Sequence, residues 1–181
     1  MPAMAQLTLH PDSHCTAVTG IDVTAVRPGS GLLKLRYVLR GAMKDVRLPP
    51  ATASARADEL WRHTCFEAFV GAAETKAYFE FNLAPSLEWA AYRFDKYREG
   101  MDPADVGAPQ VEVQRGDDRF ELRALLDLRR APEGPWRVGL TAVVEETNGD
   151  ISYWALRHPP GKADFHKADC FALELPESRG A

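Results

Sequence analysis

The chain has 181 residues and a formal net charge of −4 at neutral pH. A chain of this length suits one domain that buries about 70% of its unfolded surface, so it needs neither disulfides nor a structural metal to fold. The acidic balance argues against nucleic acid as the main partner, because phosphate binding needs a basic surface.

The N-terminal segment MPAMAQLTLHPDSHC lacks the basic start and the continuous apolar run of a secretion signal. No run of about 18 apolar residues occurs along the chain, so the sequence predicts no membrane-spanning helix. The three cysteines, Cys15, Cys65 and Cys170, are odd in number and lack the spacing of paired motifs. These features predict a single domain over residues 1–181 in the reducing cytoplasm.

Most of the chain alternates apolar and polar residues with the period of two that is typical of half-buried antiparallel strands. In chain order, the predicted strands lie in GLLKLRYVLRG, LWRHTCFEAF, AYFEFNLAP, RFELRALLDL, GPWRVGLTAVVEE, ISYWALRH and CFALEL. Turn-forming residues separate them at 27–31, 48–54, 115–118, 131–135, 147–150 and 158–161. About seven or eight short strands at this spacing predict an all-β fold, an antiparallel β-sandwich.

Two segments carry more specific expectations. Asn148-Gly149 predicts a hairpin with a type I′ turn that joins WRVGLTAVVEE to ISYWALRH. The segment SLEWAAYRFDKYREGM, residues 86–101, fits either a short helix capped by Ser86 or a strand, and we favour a strand over 88–94.

The segment LWRHTCFEAF, residues 60–69, concentrates chemically active side chains. As a strand, it places Trp61, His63, Cys65 and Glu67 on one face, because residues two apart in a strand point the same way. This face is predicted to be a ligand-binding surface rather than the second wall of a core.

Small-ligand binding, most of all binding of a carbohydrate-like molecule, is the function that these residue types favour. Aromatic rings stack on the C–H faces of sugars, while carboxylate, amide and guanidinium groups bond to sugar hydroxyls. Trp61 is the preferred stacking residue because it shares a face with Glu67. The predicted ligand-binding residues are Trp61, Glu67, Glu80, Asn82, Arg36 and Trp154.

Metal binding and catalysis are weaker alternatives. The histidines and cysteine that a metal site would use are His63, His158, His166 and Cys170, but their spacing is unlike that of zinc motifs. The Cys65 thiol is not accompanied by a glycine-rich elbow, and no phosphate-binding loop is present, so no catalytic residue is predicted.

Four blocks resemble a bacterial family of DOMON-like proteins, which is similar to the family 9 carbohydrate-binding modules. The blocks are LWRHTCFEAFV, AYFEFNLAPSLEWAAYRFDKYREGM, WRVGLTAVVEET and SYWALRHPPGKADFHKADCFALEL. The resemblance covers about residues 30–175 and implies a β-sandwich that binds a sugar or haem and does not catalyse a reaction by itself. Where this chain has Leu87 the family pattern has glycine, so the two patterns differ at the turn after Ser86.

The resemblance implies that LWRHTCFEAF leads into the ligand-facing sheet, which agrees with the choice of Glu67, Glu80 and Asn82. Haem-binding relatives use axial Met and His ligands, and here Met101 or Met43 would pair with one of His63, His158 or His166. A protein-interaction module that uses a sheet edge or the segment 86–101 is a further alternative. The oligomeric state and the identity of the ligand stay open.

Overall fold

The structure is a computed structural model that describes residues 2–29 and 31–177. The strands of this part of the chain are β1 (Ala3–Leu9), β2 (Val18–Val26), β3 (Leu32–Gly41), β4 (Cys65–Ala72), β5 (Tyr78–Leu83), β6 (Trp89–Phe94), β7 (Asp102–Pro103), β8 (Gln110–Arg115), β9 (Arg119–Asp127), β10 (Trp136–Glu145), β11 (Ile151–Ala155) and β12 (Leu173–Leu175). Short 3-10 helices cover Met43–Asp45, Leu60–Arg62 and Ala168–Cys170. No helix in the described ranges is long and apolar enough to cross a membrane.

The strands form two layers that share one strand. Sheet A has the order β1-β2-β3-β9-β8, and sheet B has the order β7-β6-β5-β4-β10-β11, with β12 also paired to β10. Strand β1 joins them, because its first part pairs with β2 while Thr8 and Leu9 pair with β11. All ladders between these strands are antiparallel, so the predicted antiparallel β-sandwich is confirmed.

Alternation along the strands places the main core between the two sheets. In β3, Leu33, Leu35, Tyr37 and Leu39 are buried, as the period of two predicts. Phe66 of β4 stacks on Phe120 of β9 with ring centroids 5.7 Å apart, which links the layers across the middle. Burial of one such large side chain stabilises the fold by about 1.5–3 kcal/mol.

Two strand predictions have different outcomes. The strand favoured over 88–94 is confirmed by β6, which pairs with β5 along its whole length. The predicted strand over 60–69 begins only at Cys65, and Trp61 belongs to the 3-10 helix Leu60–Arg62. The prediction that Trp61 and His63 project from a strand face is therefore wrong. Glu59 precedes the helix with a positive φ of 61°, which turns the chain before the strand starts.

The hairpin between β10 and β11 is confirmed, but its turn is not of type I′. The N–H of Gly149 donates to the carbonyl of Glu146 (2.9 Å), and the N–H of Glu146 donates to the carbonyl of Asp150 (2.8 Å). These bonds enclose residues 147–149. Gly149 has a positive φ of 94° whereas Asn148 does not have one, and a type I′ turn needs positive φ at both central residues.

The same hydrogen-bond pattern closes the turn between β5 and β6. The N–H of Leu87 donates to Ala84 (3.0 Å), and the N–H of Ala84 donates to Glu88 (2.9 Å). Leu87 holds the left-handed position with φ of 75°. Glycine, the residue of the DOMON-like pattern at this position, would adopt this conformation without strain because it carries no Cβ. Here the turn forms with Leu87 in its place.

Candidate functional site

The outer face of sheet B is covered by the segment that follows β11, residues 156–172, which we call the cover segment. A second apolar cluster lies beneath it and includes Cys65, Phe69, Tyr78, Ala90, Tyr92, Phe94, Val143, Ala155, Phe165, Cys170 and Phe171. Phe171 of the cover segment stacks on Phe69 of β4 at 5.7 Å. Strand β4 is thus buried on both faces, and its outer polar residues are enclosed rather than solvated.

Hydrogen bonds to the first strand hold the cover segment in place. His158 bonds through Nε2 to the carbonyl of Thr8 (2.7 Å), and His10 bonds through Nε2 to the carbonyl of Gly161 (3.0 Å). The two imidazole rings pack edge to face, with centroids 4.8 Å apart. This double attachment fixes the segment across the end of the sandwich.

A cavity of about 710 Å³ lies between sheet B, the cover segment and the loops before β4 and after β6. Its volume is within the range of about 300–1,000 Å³ that is usual for small-molecule sites. The residues that line it are Asp58, Glu59, Trp61, Glu67, Glu80, Tyr92, Phe94, Arg98, Met101, Val143, Tyr153, Ala163, Asp164, Phe165 and His166.

Glu67 lies on the sheet wall of this cavity and is only 2% exposed. Its cross-strand partners are Thr141 on β10 and Asn82 on β5. The hydroxyl of Thr141 donates to Oε2 of Glu67 (3.1 Å). Burial, reinforced by the nearby charge of Glu80, raises the pKa of Glu67 well above its usual range. Burial therefore favours the protonated form of the Glu67 carboxyl group in the ligand-free protein.

Glu80 lies beside Glu67 and is also buried, with 5% of its surface exposed. The amide nitrogen of Asn82 donates to Oε1 of Glu80 (3.0 Å). Burial raises the pKa of Glu80 to about 7, against the opposing effects of the Asn82 hydrogen bond and the positive charge of Arg98. The amide oxygen of Asn82 is buried and finds no hydrogen-bond partner in the described part of the chain. Asn82, which does not line the cavity, thus orients the carboxyl group of Glu80.

The cover segment and the loop after β6 supply the opposite wall. His166 bonds through Nδ1 to the hydroxyl of Tyr78 (2.8 Å), and its Nε2 lies 3.6 Å from Oε2 of Glu80. Burial lowers the pKa of His166 to about 4, so its imidazole is neutral near pH 7. Arg98 donates from Nη2 to Oδ1 of Asp164 (2.9 Å), which pairs the cavity's arginine with a carboxylate.

Aromatic side chains surround the mouth of the cavity. Trp61 is 49% exposed and Tyr153 is 37% exposed, whereas Tyr92 is buried deeper. The hydroxyl of Tyr92 donates to Oδ1 of Asp58 (2.6 Å), which fixes this ring against the loop before β4. The cavity therefore combines flat apolar walls with a polar floor.

Sequence reasoning and structure agree on part of this site. Trp61, Glu67 and Glu80 line one cavity, although Trp61 reaches it from a 3-10 helix rather than from a strand. Asn82 contacts Glu80 and does not line the cavity. The enclosing residues Arg98 and Asp164 were not among the predicted site residues, because they lie in irregular segments without periodicity.

Two predicted site residues lie elsewhere. Arg36 is on β3 in sheet A, where its guanidinium forms two hydrogen bonds with Glu121 (2.7 and 2.9 Å). Trp154 is buried in the main core, and its indole nitrogen donates to the hydroxyl of Ser152 (3.0 Å). The expected convergence of Arg36 with Glu67 does not occur, because the two strands belong to different sheets.

The candidate metal ligands do not form one site. His63 bonds through Nδ1 to Oε2 of Glu145 (2.7 Å), His158 bonds to β1, and the thiol of Cys170 donates to the carbonyl of Asp164 (3.2 Å). Over residues 2–29 and 31–177, no group of three or more His, Cys, Asp or Glu side chains is placed to hold a metal ion.

Haem does not fit the residues of this cavity either. Met43 is buried in the main core, which leaves Met101 and His166 as the Met and His residues that line the cavity. Nδ1 of His166 is bonded to Tyr78, and Nε2 faces the carboxyl group of Glu80. The acidic lining would also repel the two carboxylates of a haem.

No protein-family model matches the chain, and no curated protein matches it either. Among solved structures, a Bacteroides uniformis protein that has been proposed to bind carbohydrate is similar, with a TM-score of 0.69 and 15% identity over 93% of this chain and 83% of that chain. A family 9 carbohydrate-binding module from Caldicellulosiruptor kristjanssonii is similar in two complexes. With cellotriose the TM-score is 0.53 at 10% identity over 86% and 74% of the two chains. For the complex with glucose the TM-score is 0.55 at 10% identity, over 96% of this chain and 86% of that chain.

At these identities the likeness concerns the fold. The chain thus has a fold like that of carbohydrate-binding modules, and membership of the DOMON-like family stays a prediction.

Proposed function

We propose that the protein binds a sugar-like small molecule in the cavity on the outer face of sheet B and does not catalyse a reaction by itself. The observation that carries this proposal is the cavity of about 710 Å³, whose walls combine exposed aromatic rings with two buried carboxyl groups. This combination matches the two kinds of surface that a sugar ring presents.

The aromatic part of the cavity provides stacking surfaces. Trp61 and Tyr153 present their rings at the mouth, and Tyr92 and Phe94 continue the apolar surface inward. The C–H face of a sugar ring packs against such rings and gains burial without a demand for hydrogen bonds. The half-exposed state of Trp61 leaves apolar surface for a ligand to cover.

The polar part consists of oriented groups that do not have to rearrange. Thr141 holds one oxygen of Glu67, and Asn82 holds one oxygen of Glu80. The remaining oxygen of each carboxyl group is available to sugar hydroxyls. Groups that are already fixed lose little conformational entropy when a ligand binds, which favours affinity.

The fold similarity supports the same function. Cellotriose and glucose are bound in the two complexes of the Caldicellulosiruptor module, whose fold this chain shares. The present chain would use its own residues for this purpose, because identity with that module is 10%.

Tryptophan fluorescence offers a direct test. Trp61 is 49% exposed, whereas Trp89, Trp136 and Trp154 are 6%, 1% and 5% exposed, so a ligand in the cavity changes the environment of Trp61 alone. Titration with glucose and with cellotriose is expected to give a saturable change in emission and a matching heat by calorimetry. Trp61→Ala should remove the fluorescence change.

Ile151→Ala is the matched control, because Ile151 is an exposed apolar residue of sheet B that does not line the cavity. This variant should bind as the wild type does. The absence of any heat or fluorescence change at millimolar concentrations of both sugars would contradict the proposal.

A further inference from the structure

We propose that the cavity selects a sugar that carries a free amine, whose ammonium group binds to Glu67 and Glu80. This inference rests on the proposed function and names the ligand class for the same site.

The charge balance of the cavity favours a cation. Its acidic residues are Asp58, Glu59, Glu67, Glu80 and Asp164, and its basic residues are Arg98 and His166. Arg98 is already paired with Asp164, and His166 is neutral near pH 7. Even with Glu67 and Glu80 both protonated, three carboxylates and one guanidinium line the cavity. Glu59 also pairs with Arg62 beside the cavity (2.7 Å), so the carboxylate of Asp58 leaves the lining with a net negative charge. An anionic ligand is therefore disfavoured and a cationic ligand favoured.

One carboxyl oxygen of Glu67 and one of Glu80 accept no hydrogen bond from the described residues. Oε2 of Glu67 accepts from Thr141, and Oε1 of Glu80 accepts from Asn82. The other oxygen of each group has no hydrogen bond with a residue that the structure describes, and the Nε2 atom of His166 is 3.6 Å from that of Glu80. Glu67 and Glu80 are only 2% and 5% exposed and both line the cavity, so a ligand in the cavity can supply donors to these oxygens. An ammonium group supplies three donors and neutralises the pair.

The aromatic walls add to this preference. The rings of Trp61, Tyr92 and Tyr153 line the same cavity as the carboxyl groups. Aromatic faces attract an ammonium ion more strongly than they attract a neutral group. A neutral sugar would gain the stacking contact but not this attraction.

Ionisation of the glutamates accompanies amine binding. An adjacent cation favours the ionised form of a carboxyl group, so the bound ammonium lowers the pKa of Glu67 and of Glu80. Because burial raises both pKa values in the free protein, binding of the amine releases protons near neutral pH. Neutral sugars do not have this effect.

The test compares three probes by calorimetry at about pH 7, where most of a sugar amine is protonated. Glucosamine, glucose and N-acetylglucosamine are titrated at one ionic strength, since salt screens charge attraction. Glucosamine is expected to bind about tenfold more tightly than the two neutral sugars, as one charge-assisted hydrogen bond in place of a neutral one allows. Its apparent heat should vary with the ionisation enthalpy of the buffer, which reports proton release.

Variants locate the effect. Glu67→Gln and Glu80→Gln each keep the size and shape of the side chain, and each should reduce the preference for glucosamine several-fold. Glu112→Gln is the matched control, because Glu112 is exposed on β8 of sheet A and its loss changes the net charge equally. It should keep the preference, which excludes general attraction to an acidic protein.

The outcomes separate this inference from the function on which it rests. If glucose and glucosamine bind equally well, the inference is overturned and the proposed function stands. A preference that persists in both glutamine variants also overturns it, because the amine then binds elsewhere. If none of the three sugars binds, both proposals fail.

Discussion

Glu67 and Glu80 lie diagonally across the ladder between β4 and β5, where Glu67 pairs directly with Asn82 and Glu80 pairs with Phe69. Diagonal neighbours in a sheet are about 7–8 Å apart, within reach of long side chains. The cover segment closes over both carboxyl groups, so two acids share one buried floor. The protonation of these two carboxyl groups therefore makes the stability of the fold depend on pH.

This coupling predicts a pH-dependent effect of Glu80→Gln on stability. The pKa of Glu80 in the folded protein, about 7, lies above the ordinary value of 4.5, so in this window the native state holds a proton that the unfolded state has lost. The contribution of Glu80 to the free energy of unfolding is fully present below its ordinary pKa of 4.5 and is lost as the pH rises through its pKa in the folded protein, about 7. Relative to the wild type, we expect Glu80→Gln to gain about 3 kcal/mol between about pH 5 and pH 8.

Urea unfolding of both proteins across this range measures the difference. The wild-type curve alone is insufficient, because the pKa of His166 is lowered from 6.5 to about 4 and its contribution changes in the opposite direction. Subtraction of the variant removes the contribution of His166 and leaves that of Glu80 together with its effect on Glu67, whose pKa the charge of Glu80 also raises. Glu112→Gln should show a difference that does not depend on pH. If the difference in free energy of unfolding between Glu80→Gln and the wild type did not change with pH, the raised pKa of Glu80 would be contradicted.

Leu87→Gly is expected to stabilise the protein. Leu87 has φ of 75°, a conformation that costs an L-residue with a Cβ about 1 kcal/mol relative to glycine. The expected gain in the free energy of unfolding is about 0.5–1 kcal/mol, measured by urea unfolding. Leu87→Ala removes the same side-chain contacts but keeps the Cβ, so it should not stabilise. Equal stabilities for the two variants would rule out backbone strain as the cause.

Trp61→Ala and Arg36→Ala should differ in sugar binding. Trp61 lines the cavity, and loss of its ring is expected to weaken binding about tenfold, since stacked aromatic contacts contribute on the order of 1 kcal/mol or more. Arg36 lies on sheet A with Glu121, so its loss should leave the affinity unchanged and reduce only stability. Calorimetry with glucose measures both. A loss of affinity in Arg36→Ala would contradict the placement of the site.

Asn82→Ala should raise the pKa of Glu80 above about 7. The hydrogen bond from Asn82 favours the ionised form of Glu80, so its removal favours the protonated form. Titration of ¹³C-labelled glutamate carboxyl groups by NMR measures the shift. Glu121, whose pKa is lowered to about 2 by its arginine partners on sheet A, is an internal reference that should not move. An unchanged Glu80 titration would show that Asn82 does not orient it.

The amino-acid sequence by itself determined several strands and their buried faces, whereas β1, β2 and β8 were not predicted from it. In β3 and β10, alternation places every second residue in the core, and this pattern is local because side chains in a strand alternate between faces. It also placed Glu67, Glu80 and Asn82 together, since all three lie on outward positions of strands that are adjacent in the chain and pair as a hairpin.

The tertiary structure alone decided what surrounds these residues. Arg36 lies outside the site because sheet membership depends on contacts between distant segments, which the alternation within one strand does not specify. Trp154 belongs to sheet B but points into the main core, and its sequence neighbour Tyr153 lines the cavity instead. The cover segment and the 3-10 helix Leu60–Arg62 have no period that predicts where they pack. Their positions convert an open polar strand face into an enclosed acidic cavity, because apolar residues such as Phe165 and Phe171 are stabilised only by burial against that face.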